Sequence, residues 1–159
     1  MQTTTEDQAV QSFEILKEEM IDAPIEIAFE AMLDQLGPES QMMDGKPMSL
    51  KIEPWPGGRW FRDLGNNSGH FWGHVQVIKP PTLLEICGPM MMSYPAVNHV
   101  QYRLTKEGSG TRLKLIHKAM GAIPREQRDG MNEGWAWIGQ QIRLRAQRRH
   151  DSAAKTGRQ

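Results

Sequence analysis

The sequence predicts one α+β domain: a curved antiparallel sheet wrapped around a long C-terminal helix, with short helical structure after the first strand. Three observations carry this prediction. Strand-like segments fill residues 48–120 and are separated by turn signals at regular intervals, "PGG", "GNNSG", "PPT" and "GSG". A helical pattern then runs from about Arg125 to Arg149, with Met131, Trp135, Ile138 and Ile142 recurring at helical spacing as one apolar stripe. Strands grouped together with helices outside them are the α+β arrangement, and the stripe on the last helix needs a concave sheet face to cover it.

Each element has its own local signal. "SFEILKEEMI" (12–21) partly alternates and reads as the first strand. "DAPIEIAFEAMLDQLG" reads as a short amphipathic helix, with Asp22 as N-cap, Pro24 at an early helical position, Gly37 at the C-terminal end, and Ile25, Phe29, Met32 and Leu33 on one face. "PESQMMDGKP" is a loop or a second short helix. "MSLKIEP", "RWFRDL", "HFWGHVQVIK" and "LLEIC" are four strands, and "VNHVQYRLTKE" and "TRLKLIHKAM" form a closing pair. On the last strand Leu113, Leu115 and His117 share one face. Gly130, Gly134 and Gly139 are poor helix formers, so they signal close approach, a kink or a break in the final helix. The domain is expected over residues 12–149, with 1–11 and 150–159 as flexible tails.

Bulk composition excludes several classes. With 38% hydrophobic and 24% charged residues, the 159-residue chain has an ordinary globular balance. No apolar run has the length of a membrane span, and no signal peptide is visible. Cys87, the single cysteine, rules out an internal disulfide framework and suits a reducing cytoplasm. Net charge is zero but uneven: six Lys and Arg residues lie within 143–159 against the single Asp151. This segment reads as a solvated helix end and not as a nucleic-acid tail, because no aromatic is interleaved with the arginines. No Walker loop, dinucleotide fingerprint, H-E-x-x-H or G-x-S-x-G occurs. His70 and His74 lie about 13 Å apart on a strand, too far to share a metal ion, and on the face opposite Phe71, Gly73, Val75 and Val77. No metal and no cofactor are expected.

Five stretches then occur in order: "APIEIAFEAML", "PGGRW", "GHVQVIKPPTLLEI", "GTRLKLIH" and "NEGWAWIGQQI". Together they resemble the START-like (SRPBCC) superfamily, in its branch named after activators of the heat-shock protein 90 ATPase. The resemblance spans roughly residues 12–145. It implies a helix-grip fold with a pocket between sheet and helix, and it leaves function open.

Under that resemblance, Leu113, Leu115, Met131, Trp135, Ile138 and Ile142 are candidate apolar contacts for a ligand. Trp60 is a further candidate, and it is placed to stack on Trp72 of the neighbouring strand. Within "ICGPMMMSYP", Met90 and Met92 are candidate pocket-rim residues, with core filler or a dimer contact as the alternatives. His117 either orients a ligand's polar group or moves a proton, or it is a core histidine satisfied by a neighbour. The first functional expectation is a cytoplasmic protein binding a hydrophobic or amphipathic small molecule. The second is a chaperone-associated interaction protein. The third is a cyclase- or hydrolase-type enzyme on an aromatic or polyketide-like substrate, with His117 and Glu133 as acid/base candidates. No membrane or nucleic-acid partner is expected. Met91 and the outer sheet face make a homodimer plausible.

Overall fold

The computed structural model describes residues 9–90 and 93–157. In chain order the elements are β1 (Gln11–Ile21), α1 (Ile25–Leu36), β2 (Leu50–Ile52), β3 (Arg59–Gly65), β4 (Ser68–Lys79), β5 (Leu83–Gly88), β6 (Ala96–Glu107), β7 (Gly110–Gly121) and α2 (Arg125–Thr156). The seven strands form one sheet in the order β1-β7-β6-β5-β4-β3-β2, antiparallel throughout. From β2 to β7 each strand pairs with the next in sequence. Only β1 pairs at a distance, closing the sheet beside β7. This is the α+β helix-grip arrangement the sequence predicts.

The alternation along β6 and β7 sets the inner face. Val100, Tyr102 and Leu104 lie opposite His117, Leu115 and Leu113, and all six are buried. Helix α2 covers this face with Met131, Trp135, Ile142 and Ala146, and packs against β1 and α1. Gly139 permits that approach: a Cβ there would sit 3.2 Å from Glu19 Cγ on β1. The helix is unbroken through all three glycines. Its 32 residues reach about 48 Å. It continues to Thr156, past the predicted end at Arg149, and the Thr156 hydroxyl bonds back to the carbonyls of Ser152 and Ala153.

Two local expectations are corrected. Pro24, not Asp22, holds the N-cap position of α1, and the first helical bond runs from Ala28 N–H to the Pro24 carbonyl. The Asp22 backbone N–H instead donates to Gln147 of α2. On β4, Phe71 does not share the inner face with Val75. Trp72 is an extra residue between the pairs Trp60–Gly73 and Phe61–Phe71, a bulge that turns Trp72 inward and Phe71 outward. Trp72 is therefore buried, while Phe71 is 43% exposed, with its ring 4.8 Å from that of His74. Gly73 and Gly88 make the bulged region possible, since a Cβ on Gly88 would lie 2.4 Å from the Gly73 Cα.

Among the described residues, no helix is long and apolar enough to cross a membrane, and no group of three or more His, Cys, Asp or Glu is placed to hold a metal ion.

Candidate functional site

Because α2 leans on β1 and α1, it leaves a gap over β2–β4. A cavity of about 260 Å³ fills this gap. Its sheet wall is Leu50, Trp60 and Trp72, and its helix wall is Met131, Trp135 and Ile138. Leu36 and Met48 complete the apolar lining. Gly130 and Gly134 line it as well, and a Cβ on either would meet nothing within 4 Å. Part of the empty space thus exists because two turns of α2 present no side chain to it.

The polar lining comes from the end of α1, the loop after it and the first turn of α2. Gln41 and Gln127 are exposed at the rim, whereas Gln35 and Ser40 are buried. Trp60 and Trp72 meet edge to face, with ring centroids 4.9 Å apart and planes at 86°. The Trp60 indole N–H donates to the Leu36 carbonyl at 2.7 Å, tying the β3 wall to the end of α1. A larger hollow, about 510 Å³, lies on the outer sheet face around Val97, His99, Lys118 and Met120, but it is an open depression. The inner cavity is the better candidate site, because it is the more enclosed of the two and combines apolar walls with a few buried polar groups.

His117 sits deeper, beneath the cavity, as the centre of a buried relay. The Trp135 indole N–H donates to Nδ1 at 2.9 Å, and Nε2 lies 2.7 Å from Asn98 Oδ1. An indole N–H can only donate, so Nδ1 is the acceptor and the proton is on Nε2. The Asn98 amide in turn donates to the Pro89 carbonyl at 3.3 Å. Burial pushes the imidazole pKa down to about 4. A proton on Nδ1 would also face the Trp135 N–H. The ring is therefore neutral at pH 7 with both nitrogens engaged, which makes it a structural bridge between β6, β7 and α2.

The arginine-rich end of α2 is tied to β1, to α1 and to the loop that follows α1. Arg145 pairs with Glu39 and donates to Gln35 Oε1 at 3.0 Å. Arg149 pairs with Asp34 at 2.6 Å and Glu39 at 3.1 Å, and Arg143 pairs with Glu19 at 3.2 Å. Three of the six cations in this segment thus face acids of this same chain.

Of the residues singled out by sequence, Trp60, Met131, Trp135 and Ile138 border the cavity. Leu113 and Leu115 flank only a void of about 10 Å³ behind Trp135. Ile142 and Met90 are buried away from the cavity. Met90 does not extend the β5 alternation, for its φ of 57° is left-handed and its N–H donates to the Trp72 carbonyl. Met92, like Met91, lies outside the described residues. His117 and Glu133 are not brought together: His117 is 0% exposed under α2, while Glu133 is exposed on its outer side. The acid/base pairing therefore has no geometry to act through.

Sequence reading passed over Gln35 and Ser40, and it took Gly130 and Gly134 as signs of close approach, a kink or a break, not as cavity lining. Gln35 did carry a signal. It falls at helical spacing from Ala28 and Met32 on the buried face of α1, as a polar residue in an apolar stripe.

Comparison with curated proteins returns no match. Similar solved structures include Mll3558 from Rhizobium loti, at 16% identity and TM-score 0.68 over 87% of this chain and 99% of that one. Protein MLL2253 from Mesorhizobium loti is 19% identical, with TM-score 0.65 over 86% and 98% of the two chains. CalU16 from Micromonospora echinospora is 21% identical, with TM-score 0.55 over 93% and 98%. At these identities the likeness establishes the fold. The model of one family matches residues 22–145, from the entry into α1 to the middle of α2, and the chain belongs to that family, the activator of Hsp90 ATPase homolog 1-like proteins.

Proposed function

We propose that this protein binds a small hydrophobic or amphipathic molecule in the cavity between α2 and β2–β4. The observation that supports this most strongly is the partly enclosed 260 Å³ space with apolar walls and two buried polar side chains, Gln35 and Ser40. Its volume lies just below the usual range for small-molecule sites, about 300–1,000 Å³, so the ligand is small. Trp60, Met131, Trp135 and Ile138 supply contact area, and binding is non-catalytic, with His117 serving the framework. Native mass spectrometry of protein isolated from its own host tests the reading, expecting a bound small molecule. Occupancy should also quench tryptophan emission and raise the melting temperature. A ligand-free mass, together with no quenching across a library of small aromatic and lipid-like compounds, would overturn it.

A second reading, contact with a chaperone or another protein partner, is favoured by one separate feature. Leu16, Met20, Val97 and Met120 are exposed on the outer sheet face, and Val97 and Met120 line the open depression there. A stoichiometric chaperone complex recovered by pull-down, lost when Val97 and Met120 are made charged, would support this reading.

A further inference from the structure

Two buried groups of the cavity wall, on Gln35 and Trp72, offer hydrogen-bond donors. Gln35 is 2% exposed and borders the cavity. Its carbonyl oxygen accepts from Arg145 Nη2 at 3.0 Å. A guanidinium only donates, so the atom facing Arg145 must be the oxygen, and the amide NH₂ is the end turned away. That NH₂ has no partner among the described residues. Trp72, also in the cavity wall, has a buried indole N–H without a partner. Both are donors. Arg145 is itself held by Glu39, through the carboxylate and the backbone carbonyl, so Gln35 is fixed from behind and the cation is neutralised. No Asp, Glu, Lys, Arg or His is among the described residues lining the cavity.

We propose that Gln35 is the specificity-determining polar anchor of this cavity, and that it selects an uncharged ligand bearing a carbonyl oxygen. The proposal rests on the reading of the cavity as a binding site. An acceptor oxygen takes the Gln35 N–H, while the rest of the ligand lies against Trp60, Met131 and Ile138. A carboxylate would lose its hydration without meeting an unpaired cation, which is costly in an apolar site. A hydrocarbon would strip water from the Gln35 NH₂ and leave it unsatisfied. Arg145, touching Gln35 and not the ligand, is a positioning residue.

Three probes of nearly one shape separate these cases: 2-acetylnaphthalene (neutral, carbonyl-bearing), 2-isopropenylnaphthalene (no acceptor) and 2-naphthoate (charged). Their affinities are measured by titration calorimetry on the wild-type protein. The ketone should bind about tenfold more tightly than either other probe, the effect of one buried hydrogen bond. Its carbonyl stretch, read by infrared difference spectroscopy with a ¹³C label, should move to lower wavenumber on binding. Gln35→Met removes the donor and should lower ketone affinity about tenfold, hold hydrocarbon affinity within about threefold, and return the carbonyl stretch to its unbonded position. Gln35→Glu, which keeps a contact with Arg145 but offers only acceptors, should weaken the ketone likewise.

Equal affinities for the three probes, tightest binding of the carboxylate, or an unshifted carbonyl stretch in the wild type would overturn the proposal while leaving the cavity a binding site. Undiminished ketone binding by folded Gln35→Met would do the same. If none of the three binds, the binding-site reading falls and this proposal falls with it. The wild-type comparison and the infrared band decide the matter even if both variants fail to fold.

Discussion

Replacing the three glycines of α2 one at a time by alanine tests how the cavity is made. In a helix interior, glycine is less favourable than alanine by up to about 1 kcal/mol. At Gly130 and Gly134 a Cβ meets nothing within 4 Å, so the full gain should appear. For a chain of this length, 1 kcal/mol corresponds to roughly 2–4 °C in melting temperature, so each variant should melt higher by that amount. At Gly139 the new methyl would press on Glu19 Cγ at 3.2 Å and disturb a carboxylate held by Arg143. There the propensity gain should be cancelled or reversed. Thermal melts followed by circular dichroism give the comparison. The two stabilising changes should also weaken binding of bulkier ligands, because both positions line the cavity. A Gly134→Ala protein that melts no higher than Gly139→Ala would refute the idea that open space lies over Gly134.

Further perturbations address the framework. His117 has a lowered pKa in the folded protein, about 4, against an ordinary value near 6.5. Between these values the unfolded chain binds the extra proton, so this group contributes no pH dependence above about pH 6.5. Below that, stability falls toward pH 4 by on the order of 3 kcal/mol, and urea melts at stepped pH should show the slope in wild type and its loss in His117→Gln. Trp135→Phe leaves His117 Nδ1 without its donor and should cost about 1–3 kcal/mol, read from the same melts. Ile142→Ala, at a fully buried position away from the cavity, should cost about 2–5 kcal/mol in denaturant titration. Glu133→Gln, on the exposed side of α2, should change stability by less than about 0.5 kcal/mol and leave probe affinity unaltered in calorimetry.

Local pattern made much of the architecture legible. The strands, their order along the chain, the short helix after β1 and the apolar stripe of α2 follow from periodicities of two and 3.6 residues and from turn chemistry, which are properties of neighbours in sequence. The inward face of Leu113, Leu115 and His117 was readable for the same reason. What the sequence left undecided lies between elements. The bulge at Trp72 reverses the facing of β4 residues around it, because an extra residue shifts the pleat, and Gly73 signals that a bulge is allowed without fixing which residue is the extra one. His117 could be a ligand contact or a framework residue until Trp135 and Asn98, 18 and 19 positions away, were brought to its two nitrogens. Gln35 acquires its orientation only from Arg145, 110 residues further on. The cavity has the same origin: α2 leans toward β1 and α1, and its glycines leave the opposite side unfilled. Periodicity fixes which side of an element is apolar, but the distance between two such sides is set by their packing against everything else.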